Sequence, residues 1–244
     1  MAKSTSLKGL VTVACGYAFA SAMVRNYPSL ASVFWIKDVL FEYQQGWGRR
    51  DHVALTFDDG PDPVSTPLLL KELDRLGVKA TFFMLGSMVE AYPYVAQRVV
   101  EEGHEVALHG QWHRNHLFRS AKTIRFDMAK SVEQLHKVTG VRPLFFRPPY
   151  GVLTEPTLKS ASDLSLRPVL WGAWGRDWRS QASSSQVIVD IKKRFKPGVT
   201  VLLHDSDSTS APGSFRATLG AIEPLLTLCD QHECKLGMLK DHGI

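Results

Sequence analysis

From residue 51 onward, short apolar runs rich in β-branched and aromatic side chains alternate with stretches that carry apolar residues at helical spacing. The runs cover residues 52–57, 80–85, 105–109, 144–147, 167–171 and 199–204. Helical spacing is clearest over residues 67–77, 94–103 and 123–139, with a glycine at or just after the end of each stretch. Repeated alternation of strand and helix predicts a parallel sheet, and runs that are almost continuously apolar predict a sheet covered on both faces. The pattern therefore predicts one α/β domain.

The first 48 residues differ from this pattern. Two lysines precede an apolar stretch over residues 9–24, which contains small residues at 20–22 and is closed by an arginine. Such an arrangement is typical of a secretory signal, although an uncleaved anchor or a packed first helix fits the same residues. We expect residues 1–48 to be a signal, an anchor or packed helices with a linker, and residues 49–244 to be the α/β domain. The protein is then extracytoplasmic, secreted or membrane-anchored, and any membrane contact is made through residues 9–24.

Composition excludes several classes of protein. The 244 residues are 44% hydrophobic and 22% charged, which is ordinary for a globular protein and excludes a disordered or collagen-like chain. The net charge of +5 suits an anionic partner such as a wall polymer, a membrane surface or nucleic acid, but also an ordinary basic surface. No run of Lys and Arg is interleaved with aromatic residues, so we expect no nucleic-acid partner. We expect a monomer, with Cys15, Cys229 and Cys234 as free thiols because none belongs to a CxxC pair.

Reactive side chains follow four of the apolar runs, each at the point where the run ends. These are the pair Asp58-Asp59, His109, Arg147 and His204. The carboxyl ends of parallel strands open onto the same rim of an α/β fold, and that rim carries the active site. Four independent runs that end in reactive groups therefore predict an active site on this rim.

The residue types on the predicted rim suit a catalytic metal. His109 and His113 are four residues apart and can converge on one cation if the chain turns helically after the strand. Asp58 and Asp59 are adjacent, so on an extended backbone their carboxylates diverge, which suits one ligand and one base. The alternatives are a surface histidine pair and a turn whose carboxylates accept backbone N–H groups. Two His and one Asp would leave an open coordination position, as catalytic sites do, whereas we expect His104 and His116 not to be ligands.

Five motifs together resemble those of the polysaccharide deacetylases with a NodB-homology domain, carbohydrate esterase family 4. In order they are Thr56-Phe57-Asp58-Asp59-Gly60, His109-x-x-x-His113, Arg147-Pro148-Pro149-Tyr150, Asp177-Trp178 and Leu202-Leu203-His204-Asp205. The resemblance covers roughly residues 51–240, which is a whole domain by size. It implies a distorted, incomplete (β/α) barrel, with fewer strands than the eight of a complete one.

The resemblance also implies a role for each matched residue. Asp59, His109 and His113 would bind a divalent metal ion, usually zinc, with cobalt or a similar ion as an alternative. Asp58 would be the general base that activates water, and Arg147 would pair with it. A structural ion pair is the other interpretation of Arg147, since such networks also shift pKa values.

The remaining motifs would supply the acid and the substrate contacts. His204 would be the general acid for the leaving amine, and Asp177, hydrogen-bonded to it, would raise its pKa. The backbone N–H of Tyr150 would complete the oxyanion site, while Trp178 and Leu202 would wall the pocket for the acetyl methyl. The residues expected to contact substrate are thus Pro148, Tyr150, Trp178 and Leu202.

The chain departs from the family pattern at two positions. Gly110 follows His109, where the family usually has Ser or Thr to steady the loop. Trp174 occupies the position of an acid three residues before Asp177, within the aromatic stretch 171–178. Tryptophans at the mouth of a site suit stacking on sugar rings, although core or rim packing is the other interpretation, above all for Trp171.

The motifs and the chemistry lead to one main hypothesis. We expect a metal-dependent hydrolase that removes N-acetyl groups from amino sugars of a peptidoglycan or chitin-like polysaccharide by metal-activated water. The N-acetylated glycan would be its partner. One alternative is a hydrolase of another amide or of a formyl-sugar. A non-catalytic carbohydrate-binding module is the other, but binding alone needs no general acid such as His204.

Overall fold

The strand–helix alternation expected from residue 51 onward is present in a computed structural model of the chain, which describes residues 46–244. Predictions made for residues 1–45, including membrane contact through residues 9–24 and the free thiol of Cys15, lie outside the described residues. Within residues 46–244, no helix is both long and apolar enough to cross a membrane. Cys229 and Cys234 are buried free thiols, as predicted.

The described residues contain eight parallel strands in one sheet. The strands are β1 (His52–Asp58), β2 (Thr81–Leu85), β3 (Glu105–Gly110), β4 (Phe145–Phe146), β5 (Arg167–Pro168), β6 (Ala173–Trp174), β7 (Thr200–His204) and β8 (Lys235–Gly237). Their order is β5-β4-β3-β2-β1-β7-β6, and β8 pairs with the first residues of β1. β1 lies at the centre and is buried along its whole length, as its continuously apolar sequence predicts.

The two edge strands explain why the sheet curls. β5 ends at Pro168 and β6 begins at Ala173, so the two edges are joined by a short linker over residues 169–172. A linker of this length spans at most about 18 Å, which forces the edges toward each other. Val169 N bonds to Phe146 O at 2.8 Å on one edge, and Gly172 N bonds to Thr200 O at 3.0 Å on the other. The result is a curled half-barrel with surrounding helices, which confirms the expected distorted, incomplete barrel. The expected strand number below eight is wrong, because the described residues form eight strands, three of which are only two residues long.

Helices follow most of the strands and cover the sheet. They are α1 (Ser65–Arg75), α2 (Gly86–Ala91), α3 (Pro93–Glu101), α4 (Ala121–Thr139), α5 (Glu155–Asp163), α6 (Ser184–Lys192), α7 (Phe215–Leu219) and α8 (Ile222–Gln231). Within residues 46–244, 3₁₀ turns lie at His116–Phe118, Pro149–Gly151 and Leu239–Asp241. The predicted helical stretches 67–77, 94–103 and 123–139 correspond to α1, α3 and α4. Gly140 ends α4 in the left-handed conformation at φ 73°, which glycine adopts without strain.

One predicted strand is largely wrong. The run 167–171 forms a strand only at Arg167–Pro168. Proline has no N–H to continue a ladder, so it is confined to strand ends and sheet edges. The chain leaves the sheet after Pro168 and re-enters it at β6, which the apolar pattern does not mark.

Candidate active site

Reactive groups at the ends of β1, β3 and β7 line one pocket on the carboxyl rim, and Arg147 at the end of β4 contacts Asp58 from behind it. The pocket has a volume of about 290 Å³ and is lined by Asp58, Asp59, His109, His113, Tyr150, Gly151, Trp171, Trp174, Trp178, Leu202, His204, Thr209 and Ser210. A larger groove of about 550 Å³ lies between α4 and α5, but no histidine lines it. The chemistry-bearing side chains therefore mark the smaller pocket as the candidate active site.

Three side chains converge at the floor of this pocket. Asp59 Oδ1 lies 3.3 Å from His109 Nε2 and 3.6 Å from His113 Nε2. One ligand atom from each residue lies within 4.8 Å of the others. Tetrahedral zinc with bonds of about 2.0–2.2 Å holds its ligand atoms roughly 3.3–3.6 Å apart. The separations around Asp59 Oδ1 therefore fit a small divalent ion.

The hydrogen bonds around these atoms also fit a cation. His109 Nδ1 lies 2.8 Å from the carbonyl oxygen of Arg147, which fixes the proton on Nδ1 and leaves a lone pair on Nε2. Asp59 Oδ1 is buried and accepts no hydrogen bond from any of residues 46–244. A buried carboxylate oxygen without a donor is costly unless a cation or a proton faces it. We therefore find that the donor set of Asp59, His109 and His113 suits a metal ion.

Burial and neighbouring charges shift the pKa values of the three residues. Burial lowers the pKa of His113 to about 4, so this imidazole is neutral. Burial alone would raise the pKa of Asp59, but the neighbouring imidazoles of His109 and His204 hold it well below its usual range. Burial alone would lower the pKa of His109, yet Asp58 and Asp59 together raise it. A bound cation would replace the proton that these carboxylates favour on His109.

The backbone conformation that positions these possible metal ligands differs from the predicted one. Asp59 is not extended but has φ 80°, and this reversal separates its carboxylate from that of Asp58. No helical turn joins His109 to His113. The chain instead turns at Gly110, whose φ of 101° disfavours residues with a side chain. Gln111 then anchors the bend, because its backbone O accepts from Ser87 N at 2.9 Å.

Asp58 is held by a buried arginine. Arg147 Nη1 lies 2.6 Å from Asp58 Oδ1, and the guanidinium also donates to Val169 O at 3.1 Å and Leu170 O at 2.9 Å. Burial lowers the pKa of Arg147, an effect that Asp58 partly offsets. The other carboxylate oxygen of Asp58, Oδ2, points toward His109 and lies 3.8 Å from Nε2 of that residue.

His204 and Asp177 form the second pair at the pocket. His204 Nδ1 lies 2.9 Å from Asp177 Oδ1, and the backbone N–H of His204 donates to Asp177 Oδ2 at 2.8 Å. The Thr218 hydroxyl, which no sequence motif marks, donates to the same Oδ2 at 2.6 Å. Burial alone would lower the pKa of His204, but the Asp177 carboxylate outweighs burial and raises the pKa to about 10. The imidazole is therefore positively charged, with Nε2–H available to the pocket.

Aromatic side chains form one wall of the pocket. Trp174 lies between Trp171 and Trp178, with ring centroids 5.9 Å and 5.1 Å apart. The ring of Trp178 meets that of His204 edge-on at 5.5 Å. Trp171 thus lines the pocket rather than only the core.

Two residues of the third motif lie in different surroundings. Tyr150 has φ 60° and lines the pocket, with its ring 4.3 Å from that of His113. Pro148 is buried and does not line the pocket, although we expected it to contact substrate. Its carbonyl accepts from Gly151 N at 2.9 Å and so shapes the turn that carries Tyr150.

Some residues in and beside the pocket have no assigned role in the sequence predictions, although Asp205 belongs to the fifth motif. Thr209 and Ser210 line the pocket from the loop after β7, a polar stretch without any helical or strand pattern. Asp205 is buried, accepts from Gly60 N at 3.0 Å and from Thr66 Oγ1 at 2.6 Å, and so fixes the turn after the two aspartates. Burial raises the pKa of Asp205 to about 7.

Neither His104 nor His116 belongs to the cluster of possible metal ligands among the described residues. His104 Nδ1 accepts from Ala80 N at 3.1 Å, and His116 lies 3.0 Å from the Thr157 hydroxyl. Burial lowers the pKa of each to about 4.

The chain is similar to known deacetylases in sequence and in structure. The family model described as polysaccharide deacetylase matches residues 46–169. The chain is 33% identical over 193 residues to a peptidoglycan-N-acetylglucosamine deacetylase of Bacillus cereus, covering 79% of this chain and 70% of that protein. It is 32% identical over 176 residues to a chitooligosaccharide deacetylase of a Bradyrhizobium species, covering 68% and 80%. A solved structure of the Bc1960 peptidoglycan N-acetylglucosamine deacetylase superposes with a TM-score of 0.74 at 29% identity, over 81% of this chain and 89% of that one.

Proposed function

The chain belongs to the polysaccharide deacetylase family, and we propose that this N-deacetylase of amino sugars uses a divalent metal ion, zinc by preference, to hydrolyse N-acetylglucosamine residues of a peptidoglycan-type glycan. The strongest support comes from Asp59 Oδ1, a buried oxygen without a hydrogen-bond donor that faces His109 and His113. The names of the relatives favour peptidoglycan, with chitin-like oligosaccharides as the second substrate class. We further propose residues 49–244 as the catalytic domain of an enzyme that acts outside the cytoplasm.

In this proposal the ion is held by Asp59, His109 and His113. When bound, it would lower the pKa of water and polarise the acetyl carbonyl. Asp58 accepts the proton of the attacking water at Oδ2, because Oδ1 is engaged by Arg147. The buried guanidinium fixes the orientation of this carboxylate, which a general base requires.

The leaving nitrogen receives its proton from the opposite side of the pocket. His204 Nε2–H donates this proton as the C–N bond breaks, so the products are acetate and the free amine. Asp177 keeps His204 charged and fixes its ring through Nδ1. We assign the backbone N–H of Tyr150 to the carbonyl oxygen, and Trp178 and Leu202 to the acetyl methyl, because all three residues line the pocket.

The reaction is tested by measuring acetate release from peptidoglycan and from acetylated chito-oligosaccharides, with a chelator and with added zinc. We expect release that the chelator abolishes and zinc restores. Asp58→Asn is expected to lose turnover while it still binds zinc and glycan, because Asp58 is not one of the three ligands. A zinc-loaded protein that releases no acetate from any glycan would favour another amide or a formyl-sugar as substrate. Unchanged behaviour of Asp58→Asn in every assay would instead indicate a binding module.

A further inference from the structure

The two carboxylate oxygens of Asp59 have different surroundings. Oδ1 faces Nε2 of His109 at 3.3 Å and Nε2 of His113 at 3.6 Å and accepts no hydrogen bond within the described part of the chain. Oδ2 accepts a hydrogen bond from the hydroxyl of Thr209 and lies 3.9 Å from Nε2 of His204. One oxygen is therefore held by a neutral donor, and the other is left to the two imidazoles.

The loop between β7 and α7 fixes the position of Thr209. On its N-terminal side, the Asp207 carboxylate accepts from Gly213 N at 2.5 Å, which closes the loop on itself. On its C-terminal side, Ala211 N donates to Trp178 O at 3.0 Å, which ties the loop to the aromatic wall. Thr209 is exposed as a residue, yet its hydroxyl reaches a carboxylate that is only 1% exposed. The loop thus brings this hydroxyl from the surface into contact with the buried carboxylate of Asp59.

We propose that Thr209 is a positioning residue for the divalent ion, holding the Asp59 carboxylate toward His109 and His113 and away from His204. Without the hydroxyl, Oδ2 would be a buried acceptor that has lost its donor, and His204 Nε2 lies 3.9 Å away as a replacement donor. A direct Asp59–His204 hydrogen bond would turn the carboxylate from the two imidazoles and occupy the proton that His204 gives to the leaving group. This inference rests on the proposed function, because it presupposes a metal at Asp59.

The expected loss of zinc affinity follows from what is known of hydrogen-bond partners of metal ligands in general. Partners that hydrogen-bond to a metal ligand fix its orientation, and their removal typically weakens metal affinity by about 10–100-fold. Thr209→Val keeps the branched shape but has no hydroxyl, whereas Thr209→Ser keeps the hydroxyl. Ser208→Ala changes the neighbouring, exposed residue of the same loop and serves as the matched control.

The experiment is a zinc titration of the full chain in competition with a chromogenic chelator, for the parent and the three variants. We expect Thr209→Val to bind zinc about 10-fold or more weakly, while Thr209→Ser and Ser208→Ala bind it like the parent. The zinc-induced rise in Tm is measured in parallel, because it compares each variant with its own zinc-free state and so separates lost affinity from lost fold.

Each outcome bears on one of the two proposals. Parent-like zinc affinity in Thr209→Val overturns the role of Thr209 and leaves the metal site intact. Equal weakening in the Val and Ser variants also overturns it, since the hydroxyl would then be irrelevant. A parent protein that binds no zinc removes the metal from the proposed function and, with it, this inference.

Discussion

Nη1 of Arg147 lies 2.6 Å from Oδ1 of Asp58, and the arginine is completely buried. The same guanidinium donates to the carbonyls of Val169 and Leu170, within the linker that joins the two edges of the curled sheet. A single side chain therefore holds the proposed general base and also ties the linker that keeps the half-barrel curled. Loss of this side chain is expected to affect both catalysis and stability.

Arg147→Met should abolish turnover and destabilise the fold. Removal of one partner of a buried ion pair leaves an uncompensated charge on Asp58 and typically costs about 3–5 kcal/mol. Urea unfolding measures this loss. Arg142→Met is the matched control, because Arg142 forms its 2.8 Å ion pair with Glu133 on the surface, where ion pairs contribute little. Equal midpoints for the two variants would contradict the role assigned to Arg147.

Asp177→Asn should lower the pKa of His204. The carboxylate is the main cause that raises this pKa to about 10, so its loss lets the imidazole deprotonate at lower pH. The alkaline limb of the kcat profile should then move to lower pH, with at least about a 10-fold fall in kcat at alkaline pH. Thr218→Val removes only the hydroxyl on Asp177 Oδ2 and should shift the limb less. An alkaline limb that does not move in Asp177→Asn would exclude His204 as the acid.

His104 should make the protein less stable in acid. Burial lowers its folded-state pKa to about 4, below the ordinary value of 6.5, so the unfolded state binds the proton more tightly. Above pH 6.5 the histidine is neutral in both states and does not lower the free energy of unfolding. As the pH falls from about 6.5 to about 4, protonation of the unfolded state progressively lowers that free energy. One proton corresponds to a slope of roughly 1.4 kcal/mol per pH unit. His104→Gln should reduce the measured slope of unfolding free energy in this window, and an unchanged slope would contradict burial as the cause.

Trp174→Asp should weaken glycan binding without affecting the metal. The indole lies between Trp171 and Trp178 in the pocket wall, and a stacking contact is worth about 1 kcal/mol, or roughly a fivefold rise in KM. Phe126→Asp introduces the same charge on α4, outside this pocket, and is the control. Steady-state kinetics on acetylated oligosaccharides check the prediction, together with zinc titration. A variant with unchanged KM would show that Trp174 only packs against its neighbours.

Several elements of the fold could be predicted from local sequence, and others could not. β1 and β7 are long, apolar and buried, so their runs predicted them correctly. β6 and β8 have only two and three residues, which is too few for any period. They are strands because the curled sheet brings them beside β7 and β1, which is a property of the whole fold.

The sequence by itself determined which groups meet. Asp59, His109, Arg147 and His204 each follow an apolar run, and parallel strands must place their carboxyl ends on one rim. Tertiary structure alone decided how these groups are oriented. The hydrogen bond from Thr209 to Asp59 joins chain segments 150 residues apart, which no local pattern records. The apolar runs also give no sign of the positive φ of Asp59. The physical reason is that strand direction follows from backbone pairing, whereas the aim of a carboxylate depends on the few donors that packing brings within reach.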